Sequence, residues 1–169
     1  SIGGQTAFNA QNDAGTTNSW GMELNTERFE GWTKIGKVYA EKPYKSMGVQ
    51  MTGAYHKQHS YYGTTHHDAQ QNSLYANYIY QSIFGSTNHK FRTGASFQYD
   101  DYRERLDSAN YDRREIVPGA YFEYSYSLLG KFDAVAGIRA DYHNQYGAFL
   151  SPRLHLCYSP TEKAVIRAS

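Results

Sequence analysis

Phe132-Asp133-Ala134-Val135-Ala136-Gly137-Ile138-Arg139-Ala140-Asp141-Tyr142 is the stretch that decides the fold. Every even position is apolar or aromatic, while the odd positions carry Asp133, Arg139 and Asp141. Alternate side chains of a strand point to opposite faces, so one face here is lipid-like and the other charged. Downstream, Leu150, Pro152, Leu154, Leu156 and Tyr158 share a face, and Ser151, Arg153, His155 and Cys157 share the other. Upstream, Ile116, Ala120, Phe122, Tyr124 and Tyr126 oppose Glu115, Gly119, Glu123 and Ser125. Further back, Phe91 to Tyr99, Leu74 to Tyr80 and Met47 to Tyr55 repeat the alternation, and the segments near Thr6–Phe8 and Glu30–Tyr39 keep it less cleanly.

Composition fits such a two-faced wall. Seventeen Tyr and eight Phe sit in a chain of mean hydropathy −0.75, and aromatics favour pleated, half-buried surfaces. A formal charge of +1 gives no field for nucleic acid, and no run of five or six basic residues appears. The single cysteine, Cys157, excludes an internal disulfide framework. No stretch of about 18 apolar residues exists, which excludes a transmembrane helix but not a barrel whose strands need only about ten alternating residues. The first residues lack the charged head and apolar core of a signal peptide, so the expectation is a processed chain or an internal piece.

The connections are expected near 9–29, 41–45, 57–71, 84–89, 101–113, 127–130, 144–148 and 160–163. Taken in order they are long, then short, as in barrels with long extracellular loops and short periplasmic turns, 144–148 being the exception. Apolar faces that end in Tyr99, Tyr126, Tyr142 and Tyr158 fit interfacial aromatic girdles. The fold expected is all-β: an antiparallel meander of about eight or nine strands belonging to a larger transmembrane β-barrel.

Gly137-Ile138-Arg139-Ala140-Asp141-Tyr142, Ser151-Pro152-Arg153-Leu154, Tyr158-Ser159-Pro160-Thr161-Glu162-Lys163 and Ile166-Arg167-Ala168-Ser169 resemble the barrel of TonB-dependent outer-membrane receptors, where a G-L-R-x-D strand precedes an S-P-R strand and a Y-x-P-T turn. Lys42-Pro43-Tyr44 and His89-Lys90-Phe91-Arg92-Thr93-Gly94 are similar to the Bacteroides-type members. The resemblance implies a barrel of about 22 strands closed by a plug. It also implies the bacterial outer membrane and TonB-dependent import of an iron chelate, haem, cobalamin or glycan. Residues 1–169 are then expected to be one barrel segment, with the plug, the TonB box and the remaining strands elsewhere. Its partners would be outer-membrane lipid, the imported ligand, and the plug and TonB through those other regions. Self-association of the isolated segment is a further expectation, since open sheet edges pair.

No enzyme is expected. Ser151 and His155 lie four positions apart, about 13 Å along a strand, which defeats a hydrolase triad with Asp133 or Asp141. Gly3-Gly4 has no following helix, so it does not cradle a phosphate. No catalytic set, resident metal or cofactor is expected. The ligand-contact candidates lie in the segments read as long loops: His59, Tyr61, Tyr62, His66, His67, Tyr102, Arg103 and Arg105. Imidazoles suit metal chelates, and aromatic platforms with guanidinium forks suit glycans and anionic chelates. His56, Arg113 and Arg114 flank them. The plain alternative is a wet rim where such residues are common anyway. Two rival architectures are a complete eight-stranded barrel with a structural or adhesion role, which requires its end strands to pair, and a soluble sandwich or lipocalin-like binder, which requires an apolar inner layer.

Overall fold

With aromatic and aliphatic residues at every second position, the chain is suited to a pleated ladder, and ladder is what most of it forms. The structure, a computed structural model, describes residues 2–161 and 164–169. Its strands are β1 (Ile2–Gly4), β2 (Gly21–Tyr39), β3 (Lys42–Tyr62), β4 (Thr65–Phe84), β5 (Ser86–Leu106), β6 (Ala109–Asn110), β7 (Arg113–Leu128), β8 (Phe132–His143), β9 (Gly147–Thr161) and β10 (Ala164–Ala168). They form one sheet in the order β1-β2-β3-β4-β5-β7-β8-β9-β10, with the two-residue β6 paired to β5 off that path. The all-β antiparallel meander is as expected, with ten strands in place of eight or nine. Its end strands β1 and β10 do not pair with each other among the described residues, which removes the complete small barrel.

Several expected loops are strand instead. β3 continues to Tyr62 and β4 begins at Thr65, so 57–71 is a hairpin with a two-residue turn. β5 continues to Leu106 before a turn at Asp107-Ser108, and β2 already begins at Gly21. The short connections are shorter still, down to Gly85 alone between β4 and β5. Of the turn expected at 160–163, Glu162 and Lys163 lie outside the described residues. Between β7 and β8, Leu129 (φ 36°) and Gly130 (φ 71°) both take positive φ, and the Lys131 N–H donates to the Leu128 carbonyl at 2.8 Å. That is the primed turn whose twist matches a two-stranded ribbon.

Contacts divide the chain into two units: 1–31 with 52–74 and 99–115, and 32–51 with 75–98 and 116–169. In the second unit the register settles which residues share a face. Phe122 lies opposite Ile138 and Ile138 opposite Pro152; Tyr126 pairs Ala134 and Ala134 pairs Leu156. The odd set pairs within itself: Glu123 with Gly137, Tyr121 with Arg139, Arg139 with Ser151. Ile166 opposite Tyr158 keeps the parity into β10, after a register shift between Ala164 and Ile166. Directly opposed residues lie on one face, so the even face is apolar across three turns. Rings extend it into a belt: Phe84 stacks on Phe91 at 4.4 Å, Phe91 on Phe122 at 6.1 Å, and His89 lies 4.9 Å from Tyr126.

That face has no protein cover. Among the described residues no large side chain is fully buried, and Leu150 and Leu154 are 66% and 55% exposed. A sandwich would put a second layer about 10 Å away; here hydrocarbon is the natural cover. Spin labels at Ala134 and Ile138 in a bilayer are expected to report lipid and labels at Asp133 and Arg139 water; the reverse pattern would invert the face assignment.

On the opposite face Tyr121 lies over Gly94. A Cβ there would stand 2.6 Å from Tyr121 Oη and collide with the Tyr78 carbonyl. Backbone cannot yield cheaply, so Gly94→Ala is expected to cost about 1–3 kcal/mol. A lowered urea midpoint at unchanged slope checks it, and an unchanged midpoint refutes the contact.

Candidate functional site

Crossing a bilayer takes about 9–11 tilted strand residues. β3, β4 and β5 have 21, 20 and 21, about twice that need, so the ends around the β3–β4 turn and the end of β5 are length beyond what a crossing takes. These ends belong to the first unit, and all eight sequence-derived candidates sit there, on strand rather than on loop.

The ends are held by local chemistry. Gly63 takes φ +61° in the β3–β4 turn, and the Trp20 indole lies against it, 3.1 Å from where a Cβ would be. At the end of β5, Asp107 (φ 51°) donates its N–H to the His66 carbonyl at 2.8 Å. Its carboxylate accepts the His66 N–H at 2.7 Å. Asp tolerates this left-handed conformation better than most residues.

The side chains then sort by parity. Even positions of β3 and β5 meet odd positions of β4. Gln58 Nε2 lies 3.5 Å from His67 Nδ1, and His67 Nε2 lies 3.0 Å from Glu104 Oε1. Arg113 Nη1 reaches Glu104 at 3.3 Å and its Nε reaches Glu115 at 3.2 Å, with the guanidinium 4.0 Å over the Tyr102 ring. Gln71 donates to Tyr102 Oη at 3.2 Å, and Ser73 hydrogen-bonds Asp100. This is an amide- and carboxylate-lined face. Burial pushes the Tyr102 hydroxyl up, so it stays protonated.

The complementary positions make a second, arginine-rich face. His59 Nδ1 lies 2.6 Å from Asp68 Oδ1, and Arg105 Nη2 lies 3.8 Å from Asp68 Oδ2. Arg103 and Arg114 both direct Nε at Asp101, at 3.4 and 3.5 Å. Every contact stays inside its own parity set. The candidates therefore divide: Tyr62 (by alternation), His67 and Tyr102 on the first face; His59, Tyr61, His66, Arg103 and Arg105 on the second. Tyr61 and His66 face each other with ring centroids 6.1 Å apart, and His66 Nε2 lies against Gly15, 3.3 Å from where a Cβ would be. Among the described residues no three His, Cys, Asp or Glu side chains converge to hold a metal ion. His59 and His67 each engage a carboxylate. Those carboxylates, Asp68 and Glu104, were not among the candidates. For Asp68 the signal was the nine-residue spacing from His59 across the turn, readable only once the hairpin is known; Glu104 lies 37 residues from His67 and left no local signal.

In the second unit the odd face is charged and internally paired. Glu123 accepts from Arg153 Nη2 at 3.1 Å and lies 3.9 Å from Arg92 Nη1. Arg139 contacts both Asp141 oxygens at 2.6 and 2.7 Å and donates to Ser96 Oγ at 2.8 Å.

An alternating antiparallel sheet with a bare apolar belt and a paired polar face defines the wall of a membrane β-barrel. The sequence matches the family described as TonB dependent receptor-like, beta-barrel, over residues 1–169, and the chain belongs to that family. The family resides in the bacterial outer membrane, and its members are receptors for transport, not enzymes. The structure is similar to the siderophore receptor PirA from Pseudomonas aeruginosa, at TM-score 0.55 and 10% identity, over 88% of this chain and 28% of that one. At that identity the likeness shows the fold alone. No curated protein matches the sequence.

The His59 hydrogen bond holds the Asp68 carboxyl below its ordinary range, and His67, with Arg113 adding, does the same for Glu104. A carboxyl lowered by folding contributes stability above its unfolded value, and this is lost as pH falls through the folded value, below the ordinary carboxylate range. Amides of 57–68 and 100–107, corrected for intrinsic exchange rate, should keep their protection through the ordinary carboxylate range and lose it only at more acid pH. In an Asp68→Asn, Glu104→Gln variant the acid step should be absent and protection lower at neutral pH. An acid step of full size in that variant would assign it to other groups.

Proposed function

We propose that the chain is barrel wall and external rim of an outer-membrane receptor that imports a scarce nutrient, an iron chelate, haem, cobalamin or glycan, in a TonB-dependent way. The observation that carries this is the family match along the whole length, joined to the bare apolar belt. The chain spans 28% of the length of the siderophore receptor it resembles, so plug, TonB box and remaining strands belong to other parts of the receptor in this reading. Sheet edges support the same reading: among the described residues β1 pairs only with Gly21–Glu23 of β2, and β10 with Leu156–Thr161 of β9. Such edges seek another strand, from the rest of the barrel or, for an isolated segment, from a second copy.

Within this reading the imported ligand meets the amide- and carboxylate-lined face. At mid-strand that side carries Ser73 and Asp100 while the other carries Leu74 and Tyr99, and the polar side of a barrel strand faces the lumen. Tyr62, His67 and Tyr102 are the contacts proposed. Replacing His67 and Tyr102 together with Ala in the receptor is expected to cut uptake at limiting ligand about ten- to hundredfold at unchanged membrane level. Lys131→Ala, in the β7–β8 turn, should leave uptake unchanged. Normal uptake in the double variant would move the site to other strands or the plug.

A further inference from the structure

We propose that the arginine-rich face binds the phosphorylated headgroup of an outer-leaflet membrane lipid rather than the imported ligand. This rests on the reading of the strands as an outer-membrane barrel wall. Within the first unit alone, that face changes character along each strand. β3 runs Tyr55, Lys57, His59; β5 runs Tyr99, Asp101, Arg103, Arg105; and β4, in the opposite direction, runs Asp68, Gln70, Asn72, Leu74. Aromatic and apolar side chains thus give way to cations on β3 and β5, and to amides and Asp68 on β4, on the side opposite Ser73, Asp100 and Gln71. Acyl chains end and phosphates begin over the same change of medium, where aromatic residues mark the interface.

The cations are poised outward. Arg103 and Arg105 side chains are 66% and 62% exposed. Asp101 meets Arg103 at Nε, 3.4 Å away, and Asp68 meets Arg105 at Nη2, 3.8 Å away. One-sided contacts of this kind orient a guanidinium while its remaining N–H edge faces out, and that edge fits phosphate with two parallel bonds. Beside them lies a groove of about 280 Å³ whose charged lining is Lys57, His59, Arg103 and Arg105 together with Asp68, Glu104 and Asp112. Lys57, Arg103, Arg105 and Arg114, with His59, stand against Asp68, Asp101 and Asp112 on this face; Arg114 is held at Asp101, and Asp112 accepts the Glu104 backbone N–H at 3.1 Å. An imported ligand on its way to the lumen would have no reason to visit this side of the strands, whereas the membrane lipid cannot avoid it.

The test uses the intact receptor purified in detergent from outer membranes. The probes are bis-phosphorylated lipid A, its dephosphorylated form, and inorganic phosphate, with uptake measured in parallel. The wild type should retain the phosphorylated lipid, and Lys57→Gln, Arg103→Gln, Arg105→Gln should weaken that retention tenfold or more, the order expected for three charges near an anionic surface. Lys131→Gln should not change it. Dephosphorylated lipid and inorganic phosphate should both bind at least tenfold more weakly to the wild type. The proposal is overturned if the triple variant retains lipid normally, if dephosphorylated lipid or free phosphate binds as well, or if the triple variant loses uptake while keeping lipid. In each of these cases a receptor that still fractionates with the outer membrane leaves the barrel reading intact. A receptor absent from the outer membrane overturns both.

Discussion

Hydrocarbon offers no partner to a backbone N–H or C=O, so a strand that crosses it must be hydrogen-bonded on both sides along its whole depth. The rest of this structure follows from that constraint. Neighbours in sequence become neighbours in the sheet because a hairpin completes its ladder at the least loop cost, which gives the unbroken order from β1 to β5 and from β7 to β10. From β2 onward the turns among the described residues shrink to two or three residues, or to Gly85 alone, and several are closed by positive φ, at Gly63, Gly85, Asp107, Leu129 and Gly130. The ladder also continues past the depth that requires it, since a paired strand is the cheapest way to project a rigid rim.

Pairing the backbone leaves the side chains to manage two media. The even face of β7 to β9 needs no specific contacts beyond its ring belt. The odd face needs many, because it carries ionised groups. Glu123 sits between Arg92 and Arg153, and Arg139 grips Asp141 with both oxygens while also holding Ser96. Half-exposed ion pairs contribute little stability one at a time. Their effect is geometric: each ties side chains that would otherwise sample a wide lumen. Small residues make room, as at Gly119, where a Cβ would stand 3.0 Å from both Arg139 Nη2 and Ser96 Oγ.

Where contrast between the two faces was strong, the sequence was legible. Phe132 to Tyr142 and Leu150 to Tyr158 disclosed strand, facing and register parity without a structure, because apolar and charged residues alternate there. At 57–71 and 101–113 the same backbone geometry continues, but both faces are wet. His59 and Gln58 are then equally polar, period two leaves no trace, and the segments read as loops. The candidate residues were chosen by type alone, which could not show how the strands divide them between two faces. Asp68 and Glu104 escaped because a carboxylate matters only through the partner that a hairpin brings to it.

Alternation also decides how the rim's chemistry must be parsed. Tyr102 and Arg103 are adjacent in sequence, yet the first carries Arg113 over its ring and the second directs Nε at Asp101 on the other side of the sheet. A loop would let both reach one ligand, but a strand forbids it, since successive Cβ atoms diverge by half a turn. Grouping these residues by proximity in sequence therefore mixes the two faces of the sheet. Grouping them by parity recovers two contact sets that share no side chain: His67, Glu104, Arg113 and Tyr102 in one, His59, Asp68 and Arg105 in the other. The length of the ladder is thus more than mechanical support, because it gives a single polar segment two chemically separate surfaces.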